Sequence, residues 1–271
     1  MLDLVTVGEA FDDFIFYDLD ALPASGQELK TDAFVRTIGG GAVITAIAAA
    51  RLGVRCGIVS ALSRDAAARL RRHGVAVRNV RRVSEPIALT VSLSTRRDRR
   101  FVTYIGGNIH LARRLRTVVP RLCARHLHFA FDPRPCRPWI AIVERLRAAG
   151  FGTSWDFGWN PDLPRDRAFR RLVGALDYVF FNCDEARAFG TRTRATITII
   201  KLGREGCRAI GPGVDLRVAA PRVRVVDTTG AGDVFNGAFL AARLRGATLE
   251  RALGAANRAA AESTRRPGGV R

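Results

Sequence analysis

From His126 onward, short apolar runs of strand length alternate with amphipathic stretches of helix length, and no other feature narrows the fold as much. Strands are predicted at His126 to Ala130, Gly152 to Trp155, Tyr178 to Phe181 and Thr196 to Lys201. Helices are predicted between them at Trp139 to Ala149, Arg165 to Leu172 and from Asp184. The N-terminal part repeats the rhythm. Leu4 to Val7 reads as a buried first strand ending at Gly8, and Ala42 to Leu52 as a small-residue helix stopped by Gly53. Cys56 to Ala61 is the next strand, and Ala66 to His73 a helix ended by Gly74. After a return strand near Arg208 to Ile210, two helices close the chain, Ala231 to Arg245 and Leu249 to Ser263. Repeated strand–helix units must cross back to the same sheet edge, so the strands run mostly parallel and helices cover both faces. The fold class is α/β.

Two stretches break this rhythm. Apolar residues alternate at Phe11, Phe14 and Phe16, a turn-prone Pro23 to Gly26 follows, and Ala33 to Ile38 reads as another strand. Ile87 to Ser94 and Phe101 to Ile105 form a second pair around the charged turn Thr95 to Arg100, a hairpin signal. With no linker-like stretch and no internal repeat, these pieces read as a small β-sheet inserted at about 11–38 and 87–105 into one domain spanning 1–271.

Composition excludes several classes. With 48% hydrophobic and 25% charged residues the chain is neither disordered nor fibrous. Its apolar stretches fall short of the roughly 18 residues that cross a bilayer. Acidic residues occupy the start, where a signal peptide needs arginine, so a soluble, cytoplasmic protein is expected. Cys56, Cys123, Cys136, Cys183 and Cys207 show no paired spacing, and are expected to be free thiols, buried or half-buried. His126 and His128 lie on one face of a strand and read as packing or hydrogen-bonding residues, since no third ligand stands at a useful spacing. The formal net charge of +19 is carried almost wholly by arginine, Lys30 and Lys201 being the two lysines. These arginines are dispersed and do not alternate with aromatic rings, so specific nucleic-acid binding is not expected.

Chemistry concentrates in Val226-Asp227-Thr228-Thr229-Gly230-Ala231-Gly232-Asp233. Gly-Ala-Gly before a helix offers unpaired backbone N–H groups at a positive helix end, an anion site. Asp233 in the first turn is awkward beside an anion unless it moves a proton on a neighbouring group, such as a phosphoryl acceptor hydroxyl. The bland alternative is a helix start with a favourable acidic residue. The Gly-Lys-Ser/Thr pattern of P-loop enzymes is absent.

Asp227 to Phe239 resembles the C-terminal signature of the ribokinase-like (PfkB) carbohydrate kinases. Gly39-Gly40-Gly41 through Gly53 is similar to that family's N-terminal glycine signature, and Gly8-Glu9 with Asp13 to its first strand and sugar-binding aspartate. Asn182-Cys183-Asp184-Glu185 resembles its Asn-x-x-Glu motif, and Leu202 to Gly206 its nucleotide-side loop. The resemblance covers nearly the whole chain. It implies a three-layer αβα kinase with a small β-sheet lid, using ATP and magnesium to phosphorylate a sugar or sugar-like alcohol. Asp233 would be the general base, with the backbone of Gly230, Ala231 and Gly232 as the anion hole. Asp13, Gly39, Gly40, Gly41 and the Ile44 position would face the substrate. Asn182 and Glu185 would order hydrated magnesium and phosphate. Lys201, Gly203, Gly206 and Asn257 would border the nucleotide, and Asp227 with Thr229 a monovalent-cation (K+) site. A homodimer through the lid is a further expectation. Two alternatives stay open, a nucleoside kinase of the same fold and a kinase-like ligand-binding protein with weakened catalysis.

The chain departs from the family pattern twice. Ile44 stands where the family carries an asparagine that bonds a sugar hydroxyl, and Ser60 to Asp65 runs straight into a helix where a Gly-x-Asp-x-x-Gly segment is usual. The Asn182 strand also reaches the Thr196 strand through only about a dozen residues, near the minimum for a parallel crossover.

Overall fold

The computed structural model describes residues 1–95, 99–190, 196–266 and 268. Among the described residues thirteen strands form two sheets. The larger is built, in chain order, from β1 (Leu2–Gly8), β4 (Cys56–Ser60), β5 (Ala76–Asn79), β8 (Ala124–Ala130), β9 (Gly152–Asp156), β10 (Tyr178–Asn182), β11 (Ile197–Lys201), β12 (Cys207–Gly211) and β13 (Val214–Val218). The smaller holds β2 (Phe11–Leu19), β3 (Phe34–Gly39), β6 (Leu89–Thr95) and β7 (Arg99–Tyr104). Spatial order in the larger sheet is β13-β12-β11-β10-β9-β8-β1-β4-β5, all pairs parallel except those of β12, which runs antiparallel to both β11 and β13. In the smaller sheet it is β3-β2-β6-β7.

Eight α-helices among the described residues complete the layers: α1 (Gly41–Arg51), α2 (Arg64–Arg72), α3 (Leu111–Val118), α4 (Arg137–Ala148), α5 (Phe169–Gly174), α6 (Cys183–Phe189), α7 (Ala231–Leu244) and α8 (Leu249–Ser263). One face of the large sheet packs Leu4, Ile58, Phe180 and Ile199 against α1, α7 and α8. The other packs Val7, Phe129, Trp155 and Phe181 with α3, α4 and α5, where Trp139, Trp155, Phe129 and Phe131 stack or meet edge to face. The near-continuous apolar character of the central strands follows from burial on both faces.

The α/β alternation and the outlying small sheet agree with the sequence reading. Four elements depart from it. β5 and β13 are edge strands with few buried side chains, so they lack the apolar run that marks the others. Helix α3 covers a stretch to which the sequence reading assigns no element, because its arginines hide an apolar stripe of Leu111 and Leu115, continued by Val119 just past its end. Helix α5 begins at Phe169, after a 3-10 turn at Leu163–Arg165, where a helix from Arg165 is expected. The predicted hairpin turn at Thr95 to Arg100 includes 96–98, and the crossover into β11 includes 191–195, both outside the described residues. After β4 the chain runs directly into α2, which Ser63 caps, its hydroxyl accepting from the Ala66 N–H at 3.0 Å. No described helix is long and apolar enough to cross a membrane.

Candidate active site

The carboxyl ends of β1, β8, β9, β10 and β11 converge where α1 and α7 begin, the edge of an open α/β sheet at which ligands ordinarily bind. Helix α7 starts at Gly230, whose φ of 71° puts it in the left-handed region that suits glycine. The Asp233 N–H donates to Gly230 O at 3.0 Å and the Ala231 N–H to Thr228 O at 3.2 Å. The N–H groups of Gly230 and Gly232 make no hydrogen bond among the described residues and open the helix toward the site. Asp227 folds the preceding turn, its Oδ1 accepting from the Thr229 N–H and Oγ1 at 2.9 and 2.7 Å and its Oδ2 from the Gly268 N–H at 2.8 Å.

Helix α1 meets α7 closely. A Cβ on Gly237 would fall 2.5 Å from Thr45 O, so only glycine permits this approach. Thr45 Oγ1 then donates to Asp233 O at 3.2 Å, tying the two helix starts together. As a result Gly41 reaches the Asp233 carboxylate: a Cβ there would stand 3.1 Å from Oδ1. Gly39 sits equally hard on Asp13, where a Cβ would land 1.9 Å from Oδ2. Asp13 and Asp12 alternate along β2. Asp12 turns away to accept from Ser63 Oγ at 2.8 Å and Arg36 at 3.0 Å, which leaves Asp13 on the site side. Ile44, one turn beyond Gly41, is 5% exposed and packed in the core, and the Thr45 hydroxyl beside it is already committed to Asp233 O.

On the other flank Lys201 ends β11 and Asp156 ends β9. Lys201 Nζ lies 2.7 Å from Asp156 Oδ2, an oxygen that also accepts from Asn236 Nδ2 at 2.7 Å. A Cβ on Gly232 would come 3.1 Å from that ammonium, so Lys201 stands beside the start of α7. Asn182 and Glu185 form a capping box on α6: Asn182 Oδ1 accepts from the Asp184 and Glu185 N–H groups, and Glu185 Oε2 accepts from the Asn182 N–H at 2.8 Å. Gly203 and Gly206 shape the loop after β11, and a Cβ on Gly206 would strike Val218 O at 2.0 Å. Asn257 is buried on α8 and donates to Val218 O and Ala219 O at 2.9 and 3.2 Å, which pins the chain leaving β13.

The electrostatics are those of a crowded acidic pocket around one lysine. Burial first, then the nearby Asp156, push Asp233 up to about 7, although Lys201 opposes them. Burial with Asp12 raises Asp13 to about 7, and burial with Asp132 raises Glu9 to about 7. Burial also works to raise Asp156, but Lys201 prevails and holds it below the usual carboxylate range. Glu185 is raised by burial and by Asp156. Burial alone would lower Lys201, yet Asp156, Asp233 and Glu185 together hold it above its ordinary value.

These shifts predict a pH signature. A carboxyl with a higher pKa folded than unfolded favours folding while protonated and loses that contribution as pH rises, here from about 4 to about 7. The buried neutral His126 and His128, lowered by burial to about 4 and about 3, act in the opposite sense. The Asp13 contribution is isolated by difference. Asp13→Asn is expected to gain at least about 1 kcal/mol relative to wild type between pH 4 and pH 7. Urea unfolding of both proteins across that range checks it, and a constant difference would refute the raised Asp13.

Asp233, Gly230 to Gly232, Asp13, Gly39 to Gly41, Glu185 and Lys201 are thus gathered around the same strand ends, whereas Asn257 braces the backbone behind them. Asp156, Asn236, Glu9 and Asn108 carry no assigned role in the sequence reading. A carboxylate ending an apolar strand was the available signal for Asp156. For Asn108, buried with Nδ2 on Ala10 O at 3.0 Å and Oδ1 without a partner among the described residues, no sequence signal exists. Of the cysteines, Cys123 is exposed rather than buried or half-buried, because it lies in the turn before β8. Among the described residues no three His, Cys, Asp or Glu side chains converge to hold a metal directly.

Comparison with known proteins follows the same lines. The sequence profile of the pfkB family carbohydrate kinases matches residues 1–271. A nucleoside kinase of Methanothermobacter thermautotrophicus is 27% identical over 92% of this chain and 84% of its own length. A 2-dehydro-3-deoxygluconokinase of Bacillus subtilis is 28% identical over 98% and 91%. The adenosine kinase of Sinorhizobium meliloti superposes with a TM-score of 0.82 at 23% identity, over 100% of this chain and 96% of that one. An Arabidopsis thaliana ribokinase complexed with ribose and ATP superposes at 0.77 with 23% identity, over 98% and 94%. The chain has the three-layer ribokinase-like fold, and it belongs to the pfkB carbohydrate kinase family.

Proposed function

We propose that this pfkB-family chain transfers the γ-phosphoryl group of ATP to a hydroxyl of a sugar or sugar-like alcohol, within a single domain closed by the small sheet. The observation that carries the reading is the Asp233 carboxyl, raised to about 7, in the first turn of a helix whose Gly230 and Gly232 N–H groups make no hydrogen bond among the described residues. A carboxylate near neutrality can take a hydroxyl proton, and donors fixed at a helix start can hold the charge that develops on the transferring group. Lys201 adds a positive charge beside Gly232, and Asp156 with Asn236 keeps it there. Asp13 accepts hydrogen bonds from substrate hydroxyls, and Gly39 to Gly41 let the substrate approach backbone where side chains would collide. Asp227 and Thr229 border a monovalent-cation site, and Gly203, Gly206 and Asn257 shape the nucleotide side. The alternative within the family is a nucleoside acceptor, which the names of the archaeal relative and the Sinorhizobium structure favour.

The donor set fits hydrated magnesium with ATP. Glu185 spends Oε2 on the Asn182 N–H and keeps Oε1 as an acceptor for a metal-bound water. When bound, magnesium neutralises phosphate charge. Glu185→Ala is expected to raise the magnesium needed for half-maximal rate about tenfold while leaving sugar affinity unchanged. A magnesium titration overlaying wild type would leave Glu185 as a helix cap.

Ile44 bears on the acceptor. An apolar wall discriminates by only about 10- to 200-fold, whereas a hydroxyl-bonding group can reject a deoxy analogue by about 10⁴. On this reading Ile44, though packed in the core, presents an apolar wall to the substrate, which therefore has one polar group fewer facing residue 44, and Ile44→Asn shifts preference toward fully hydroxylated sugars. kcat/KM for a sugar and its matched deoxy analogue checks this. A wild-type preference of a thousandfold or more for the hydroxylated sugar would overturn it.

An ATP-consumption screen across sugars, sugar acids and nucleosides tests the proposal as a whole. Turnover of none, with folded protein, would favour a ligand-binding role. Exposed Phe34, Phe101, Val102 and Tyr104 on the small sheet support a homodimer through the lid, and free thiols suit a reducing, ATP-supplied cytoplasm.

A further inference from the structure

At the strand ends opposite the candidate active site lies a cavity of about 490 Å3, within the size range of small-molecule sites. Arg125 and His126 open β8 on one side, Arg147 ends α4 on another, and Arg243 closes it from α7. The lining thus holds three arginines against one carboxylate, Asp177, and that carboxylate is already occupied. Its Oδ1 pairs with Arg147 at 3.0 Å and its Oδ2 accepts from the Thr153 N–H and Oγ1 at 2.8 and 3.1 Å.

The arginines are positioned and not saturated. Arg147 donates to Ala175 O at 3.0 Å, and Arg243 donates from Nε to the Tyr178 hydroxyl at 3.1 Å and from Nη1 to Ala247 O. Each guanidinium has five N–H donors, so several remain on each. Arg125 has a loose 3.6 Å pairing with Asp3, which Arg55 already holds at 2.9 Å.

His126 supplies a second, independent observation. It is 6% exposed and lines the cavity, and its Nδ1 makes no hydrogen bond among the described residues. Gly152 leaves room for that nitrogen, since a Cβ would sit 2.4 Å from it. Its Nε2 shares the Ser154 hydroxyl at 2.8 Å, and the same hydroxyl meets His128 Nδ1 at 2.9 Å. A ring nitrogen on a buried side chain that lines an arginine-lined cavity is a hydrogen-bond donor or acceptor open to a ligand there.

We propose that this cavity is a regulatory site for a small phosphorylated ligand, gripped by Arg125, Arg147 and Arg243 and hydrogen-bonded by His126. Guanidinium groups match phosphate oxygens in geometry and charge, and Phe151, Leu240 and Leu244 offer an apolar wall to a carbon portion. A phosphate oxygen at His126 Nδ1 selects the tautomer with its proton there. Nε2 then accepts from the Ser154 O–H, and Ser154 Oγ accepts from the His128 Nδ1–H. Ser154 lies two residues before Asp156 on β9, so occupancy resets the hydrogen bonds next to the Asp156–Lys201 pair.

Histidine ¹⁵N NMR on the full chain tests it, and with only four histidines the signals are few. Inorganic phosphate and glycerol 3-phosphate are titrated separately. Saturable movement of the His126 nitrogens is expected, and the Arg125→Gln/Arg243→Gln variant should weaken it at least about tenfold, the loss of charge-assisted hydrogen bonds. Tighter binding of glycerol 3-phosphate marks a metabolite site, and equal binding a site for phosphate itself. His126 signals unmoved by either probe in wild type overturn the proposal, as does unchanged binding in the variant. If the double variant does not fold, the half-exposed Arg125→Gln alone supplies the comparison, with weaker binding expected and unchanged binding again contradicting the site.

Discussion

Asp233→Asn is expected to lower turnover by about 10²- to 10⁴-fold, the loss typical of a general base, with ATP affinity little changed. The pH profile gives the same assignment a second readout. With Asp233 raised to about 7 it must lose its proton to act, so kcat/KM of wild type should fall below about pH 7. The variant should lose that acid limb along with its rate. Near-normal turnover would return Asp233 to a helix-start residue, whose removal costs at most about 1 kcal/mol of stability and leaves chemistry intact.

The second large effect is expected at a residue with no assigned role in the sequence. Asp156→Asn leaves Lys201 without its 2.7 Å counter-ion in a largely buried site, and breaking such a pair costs about 3–5 kcal/mol. Asp233 and Glu185 remain near the lysine, so the low end is expected. Denaturant unfolding at pH 7 measures the loss, and a change below about 0.5 kcal/mol would show the pair to be incidental. The same variant carries a signed kinetic prediction. Asp156 helps to raise Asp233 and also neutralises Lys201, so its removal should move the acid limb of kcat/KM to lower pH. Movement to higher pH would contradict this electrostatic account.

The two predictions separate roles that a turnover measurement alone would merge. Asp233→Asn removes the proton acceptor and leaves its surroundings in place. Asp156→Asn leaves the acceptor and changes its surroundings, so it should alter stability and pH dependence as well as rate.

Much of the molecule was legible before any coordinates, for local reasons. Strand–helix alternation determined the parallel sheet, since each β-α-β unit has essentially one way to pack its crossover. Gly230 to Asp233 announced a helix start with open backbone N–H groups because such groups at that position depend on chain geometry alone. Asp13, Glu185 and Lys201 stood in short motifs whose spacing within a strand end or a first helical turn is set by neighbouring residues. The helix α3 was hidden by arginines that snorkel around a three-residue stripe, and β5 and β13 by edge positions that bury little.

What tertiary structure decided is every relation between elements distant in the chain. Asp156 and Lys201 are separated by 45 positions, and they meet because β9 and β11 flank β10 in a parallel sheet. Thr45 reaches Asp233 across 188 positions because Gly237 lets α1 and α7 touch. The raised carboxyls of Glu9, Asp13 and Asp233 follow from burial and from neighbours brought by other strands, quantities that no local pattern encodes. The arginine-lined cavity has the same origin. Its arginines are indistinguishable in the sequence from the dispersed surface ones, and only the packing of α4, α7 and two strand starts turns three of them toward one space.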